Sequence, residues 1–95
     1  MMNYNRNLTI RDILLENERT IKLEGEVNEA SAAAVVDQLL YLDSKSNTKP
    51  IILMINSPGG SVYHGRAILD AIDYVDAPVH AIVMGIAMSM GDNET

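Results

Sequence analysis

The sequence predicts an α/β domain built on parallel strands, and three observations carry that prediction. Short apolar runs at Thr20–Leu23, Ile51–Ile55 and Val79–Met84 alternate with segments of helical periodicity. The run Ile51–Ile55 is continuously apolar, which suits a strand covered on both faces. Two glycine-containing turns, Asn56–Ser61 and Gly85–Gly91, each follow an apolar run directly. Strand–helix–strand order implies right-handed crossovers between parallel strands, and ligands of open α/β sheets gather at the strands' carboxyl ends. Both turns fall at such ends.

The elements follow in order. Residues 1–7 read as a flexible N-terminal arm and residues 8–95 as a single domain. Leu8 to Asn17 forms a short helix, with Thr9 as N-cap and Ile10, Ile13 and Leu14 at helical spacing. Thr20–Leu23 alternates as a strand, and Glu24-Gly25-Glu26 turns the chain. Asn28 caps the next helix, with Glu29 complementing its dipole. Ala32, Val35, Val36, Leu39 and Leu40 make its apolar stripe, and the helix runs to about Leu42–Ser44. A polar loop leads to Pro50 and the strand Ile51–Ile55. Ile68, Ala71, Ile72 and Val75 mark the following helix, which Asp76-Ala77-Pro78 ends. The last strand, like Ile51–Ile55, reads as covered on both faces over Ala81–Met84.

Composition narrows the function. The chain has 95 residues, 47% hydrophobic and 21% charged, in the range of a globular domain. Seven Lys and Arg stand against thirteen Asp and Glu, a net charge of −6. That balance argues against nucleic acid, whose phosphates need clustered cations. The longest uncharged apolar stretch, Ala81–Met88, is far short of the roughly 20 residues a membrane span requires. The start Met1–Arg6 is polar, without the apolar core of a secretory signal, and a cytoplasmic location fits. With no cysteine, disulfides, thiolate catalysis and cysteine-held zinc are excluded. Two histidines are too few for a histidine-built metal site, so no metal is expected.

The two turns carry the candidate chemistry. In Asn56-Ser57-Pro58-Gly59-Gly60-Ser61, Pro58 presets φ, and the glycines admit positive φ and close approach to the backbone. The N–H groups leading into the next helix are suited to an anion or an oxyanion. The same residues also make a plain strand-to-helix turn. In Gly85-Ile86-Ala87-Met88-Ser89-Met90-Gly91, Ser89 serves either as a nucleophile at a helix N-terminus or as a simple cap. Neither turn carries a Walker or dinucleotide-binding glycine pattern.

Taken together, Ile-Asn-Ser-Pro-Gly-Gly-Ser-Val, the following Pro-Val, and Gly-x-Ala-x-Ser-Met-Gly resemble the Clp protease proteolytic subunit (ClpP) family. Leu23-Glu24-Gly25-Glu26-Val27-Asn28 and Gln38-Leu39-Leu40-Tyr41-Leu42 are similar to its N-terminal region, and the resemblance covers roughly residues 8 to 91. It implies a ClpP/crotonase-like fold of repeated β-β-α units with mainly parallel strands, incomplete at the C-terminal side. It also implies a serine endopeptidase acting on unfolded polypeptide by acyl transfer. Ser89 matches the nucleophile, Gly60 and Met90 the oxyanion-hole N–H groups, and Asn56, Ser57, Pro58 and Gly59 the loop beside the bound peptide. Family members form homo-oligomers of stacked seven-membered rings. An AAA+ unfoldase feeds them and hydrolyses the ATP, so no cofactor is implied for this chain.

The pattern departs from the family's after Ser89. Six residues remain, none of them His, so the matching base and its orienting acid are missing. Met88 stands where a small residue is usual, and Asp92-Asn93-Glu94 where the active-site helix begins apolar. The sequence therefore reads as the N-terminal portion of such a subunit. His64 and His80 are the available substitutes for the base, and each also reads as a structural or surface histidine. A non-catalytic peptide-binding or assembly protein, or a crotonase-like acyl-thioester binder, are the alternative readings on the same fold.

Overall fold

The computed structural model describes residues 9–84, with the side chains of Arg11 and Asp12 excepted. The expected arm and the turn Gly85–Gly91 lie outside the described residues. The elements run α1 (Ile10–Glu18), β1 (Thr20–Glu24), α2 (Glu29–Lys45), β2 (Ile51–Asn56), α3 (Val62–Tyr74) and β3 (Val79–Val83). The strands form a parallel sheet in the order β1-β2-β3. Thr20 stands beside Ile52, and Ile51 beside Val79. All three strands therefore end on the same edge.

Each helical connection carries a small addition that the alternating pattern did not reveal. After β1, Val27 makes an isolated parallel bridge to Gly60, the residue just before the N-cap of α3. The order is thus strand, single bridging residue, helix, repeated once: β1, Val27, α2, then β2, Gly60, α3. This is a minimal β-β-α repeat in an α/β fold.

The core lies between one face of the sheet and helices α2 and α3. Ile21, Leu23, Ile51 and Leu53 alternate onto that face and meet Ala32, Val35, Leu39 and Leu42 of α2 with Ile68 and Ala71 of α3. Asn28 caps α2 as expected: its side chain accepts from Ser31 N–H, and the Ser31 hydroxyl accepts from Asn28 N–H, each at 2.9 Å. This is a capping box closed by Ser in place of the usual Glu. The end of α3 is tied to α2 through Asp43, whose carboxylate accepts from the N–H groups of Asp76 at 3.1 Å and Ala77 at 2.9 Å.

The helix expected over Leu8 to Asn17 forms as α1, and two expectations after it need correction. Within α1, Ile10 and Ile13 are exposed and Leu15 packs against the core. Nine residues placed beside a sheet edge present only part of one turn inward. Leu40 of α2 is also exposed, because a helix lying on one sheet face buries a narrower stripe than the sequence marked. The apolar strands are not covered on both faces: β2 alternates between buried and half-buried, and β3 is exposed from His80 onward. β3 is an edge strand among the described residues, with helices on one side of the sheet only.

Candidate functional site

The loop from Asn56 to Ser61 leaves the carboxyl end of β2 and enters α3. Its shape is held by backbone contacts with the segment after β1. Gly25 N–H donates to Asn56 O at 3.2 Å, Val27 N–H to Gly59 O at 2.9 Å, and Ser61 N–H to Val27 O at 2.9 Å. Gly59 and Gly60 adopt φ of +116° and +142°, where L side chains are strained.

Ser57 is buried, and its hydroxyl faces inward. It accepts from Gly59 N–H and donates to Gly59 O, both at 3.1 Å. Of the loop residues singled out from sequence, Ser57 thus shapes the turn from within. Asn56 is half-buried, while Pro58, Gly59 and Gly60 form its exposed surface. Gly60 N–H takes no hydrogen-bond partner among the described residues. An exposed, unpaired N–H on a rigid backbone, beside the positive end of a 13-residue helix, is a preorganised donor to an anion or oxyanion.

Ser61 caps α3. Its Oγ accepts from His64 N–H at 3.2 Å and lies 3.0 Å from His64 Nδ1. The Tyr63 ring meets the His64 ring edge-on, with centroids 5.1 Å apart. His64 is therefore engaged at Nδ1 within the cap. His80 sits on exposed β3 in register with Ile52, toward the strand's start and away from the loop.

Ser89 and Met90 lie outside the described residues. At the end of the described residues β3 pairs Val83 with Ile55, and Met84 N–H donates to Ile55 O at 2.7 Å. Met84 stands next to the strand end from which the glycine loop departs. Sequence reasoning missed Val27, which anchors that loop. A single bridging residue leaves no periodicity to find, and the Glu-Gly-Glu turn before it was the available signal.

Among the described residues, no group of three or more His, Asp or Glu side chains is placed to hold a metal ion. No described helix is long and apolar enough to cross a membrane.

Comparison with known proteins agrees with this architecture. The family model for Clp protease matches residues 3–93. The chain is 57% identical over 74 residues to ATP-dependent Clp protease proteolytic subunit 2 of Prochlorococcus marinus subsp. pastoris, covering 78% of this chain and 37% of that protein. It is 51% identical over 77 residues to the ATP-dependent Clp protease proteolytic subunit of Streptococcus mutans serotype c, covering 81% and 39%. With subunit 3 of a Synechococcus species the identity is 54% over 74 residues, covering 78% and 37%. The chain thus spans well under half the length of these relatives. A match over residues 3–93, on a parallel α/β fold with the glycine loop at its carboxyl edge, means that the chain belongs to the Clp protease family.

Proposed function

We propose that this chain supplies the nucleophile and oxyanion-stabilising part of a serine endopeptidase site. Ser89 Oγ attacks a peptide carbonyl, and the Gly60 and Met90 N–H groups hold the oxyanion that forms. The acyl group passes to Ser89 as the amine leaves, and water then releases it. The observation that carries this reading is the unpaired, exposed Gly60 N–H, held rigid by Val27 on the sheet edge where β3 also ends. Asn56, Pro58 and Gly59 flank an extended peptide there, with Ser57 fixing their shape.

The relatives are ATP-dependent Clp protease proteolytic subunits. By that kinship the substrate is an unfolded polypeptide, and the working form is a cytoplasmic homo-oligomeric ring supplied by an AAA+ unfoldase that hydrolyses the ATP. No cofactor acts on this chain in that scheme.

The test is a chimera in which these residues replace the matching stretch of the Streptococcus mutans subunit. The chimera is expected to react with a serine-directed fluorophosphonate and to lose the label in Ser89→Ala. A folded chimera that keeps its label in Ser89→Ala removes Ser89 from the nucleophile's role. A folded chimera with no label at all favours a peptide-binding function for the loop.

A further inference from the structure

Away from the glycine loop, the end of α2 and the loop after it meet the junction of α1 and β1 around a cavity of about 360 Å³. That volume is in the range of small-molecule sites. Glu16, Asn17, Arg19, Tyr41, Lys45 and Lys49 are among its lining residues. Three of the chain's seven Lys and Arg thus converge on one cavity of a protein whose net charge is −6. Acidic side chains are in excess, yet none pairs with these three cations among the described residues.

Each cation is accounted for without a counter-ion. Arg19 donates from Nε to Pro50 O at 3.0 Å and from Nη1 to Leu42 O at 3.0 Å. Its Nη2 donates to Ser46 O at 2.8 Å and to Lys49 O at 2.9 Å. These acceptors are neutral carbonyls, so the guanidinium keeps its full charge. Lys45 holds Nζ 5.3 Å from the centroid of the Tyr41 ring, a contact that likewise leaves the charge in place. Lys49 Nζ has no partner among the described residues. The one carboxylate on the wall, Glu16, accepts from the Tyr41 hydroxyl at 3.1 and 3.3 Å. Three cations and one carboxylate leave two positive charges uncompensated.

We propose that this cavity binds a phosphoryl group, carried by a small phosphomonoester or present as free phosphate. Such a group bears a charge of about −1.5 to −2 near neutral pH and matches the two uncompensated charges. A simple carboxylate neutralises only half of them. Lysine ammonium groups serve phosphate as mobile point charges. The end of α2 would ordinarily repel an anion through its free carbonyls. Arg19 donates to the Leu42 carbonyl, which also accepts from Ser46 N–H, and to the Ser46 carbonyl at the C-cap, and so sets a full positive charge against that negative helix end.

Isothermal titration at constant ionic strength tests this, with inorganic phosphate and phenyl phosphate as probes and acetate as the control anion. Both phosphates are expected to give saturable heat with Kd on the order of 0.1–1 mM, and acetate none over the same range. Tighter binding of phenyl phosphate assigns the site to an organic monoester, and the reverse order to free phosphate. Lys45→Gln/Lys49→Gln is expected to weaken binding at least about tenfold. Lys22→Gln, which removes a cation already paired with Glu24 at 3.5 Å, is expected to leave it unchanged. Lys45 and Lys49 are exposed, so the double variant is expected to keep the parent's circular dichroism; Lys49→Gln alone is the second variant should it not. No saturable heat with either phosphate up to about 10 mM, an equal response to acetate, or undiminished binding in the lysine variants overturns the proposal.

Discussion

Gly60 stands against Val27 with no room for a side chain between them. A Cβ on Gly60 would fall on the Val27 carbonyl oxygen and lie 2.7 Å from Val27 N. The same Val27 groups bond to Gly59 O and Ser61 N–H, so the bridge fixes the glycine loop on both sides of Gly60. Backbone against backbone is a stiff contact, and it presents the Gly60 N–H at a defined place. The loop's conformation is thus set by its neighbour after β1 rather than by its own sequence alone.

Gly60 and Gly59 therefore differ in what substitution does. Gly60→Ala must displace the Val27 backbone and break two hydrogen bonds while keeping a strained φ, a loss of about 3–4 kcal/mol. Around Gly59 a Cβ meets nothing within 4 Å, so Gly59→Ala carries the φ strain alone, about 1–2 kcal/mol. Urea unfolding of the two variants measures the order. Equal losses would mean that the contact with Val27 yields easily and does not hold the loop.

Arg19 is the corresponding fixture at the other end of the sheet. Its φ of +51° is unusual for a side chain with a Cβ, and its guanidinium reaches four carbonyls spread from Leu42 to Pro50. Lysine keeps the charge but cannot span several acceptors with a rigid fork. Arg19→Lys is expected to destabilise by about 2 kcal/mol, read as a lower urea midpoint at unchanged slope. Arg19→Gly relieves the φ strain yet loses every contact, and is expected to be the less stable of the two. If Arg19→Gly is the more stable, backbone strain outweighs the carbonyl contacts.

Much of this arrangement was legible because it rests on local chemistry. Asn28 and the buried positions Ala32, Val35 and Leu39 announce α2 through a cap and a spacing, and both signals act within a few residues. The glycine loop was visible for the same reason, since φ values of +116° and +142° admit little else. Arg19 was not legible, because its acceptors lie 23 to 31 residues away and a lone arginine looks like surface charge. Ser57 was placed in the loop beside the peptide, and its inward hydroxyl was not legible because it depends on the turn's three-dimensional path. The apolar run in β3 says that cover is wanted without saying what provides it.

Catalysis by a polypeptide of these 95 residues should be very weak. His64 and His80 are its two histidines. His64 Nδ1 is engaged by Ser61 Oγ at 3.0 Å, and His80 lies four residues before Met84, about 13 Å back along the strand. Neither ring is oriented by a carboxylate among the described residues, as a catalytic base would be. A serine without a positioned base stays protonated, and only oxyanion stabilisation and binding remain. Hydrolysis of a fluorogenic peptide is therefore expected to be indistinguishable from that of Ser89→Ala. Turnover that Ser89→Ala abolishes would show that a base is present, and its loss in His64→Gln or in His80→Gln would say which.

The exposed edge of the sheet bears on how the same polypeptide behaves in solution. Ile82, Val83 and Met84 are 45%, 47% and 38% exposed, although they belong to or follow directly on a strand whose inner neighbour is largely covered. No further strand pairs with β3 among the described residues, so its outer backbone groups add to the apolar surface there. An unpaired apolar edge strand is a template for another chain. A symmetric contact covering about 400 Å² of apolar surface on each copy returns about 20 kcal/mol gross. Lost rotational and translational freedom opposes this by about 4–15 kcal/mol. Wherever that cost stays below about 12 kcal/mol, the surplus exceeds the about 8 kcal/mol of a micromolar complex. Sedimentation at micromolar concentration is therefore expected to show self-association, with a melting temperature that rises with protein concentration. Ile82→Lys places a charge on the exposed strand without touching the core and is expected to shift the equilibrium toward monomer. A monomeric, cooperatively melting parent, or an Ile82→Lys variant that associates as before, would show that this edge is not the contact surface.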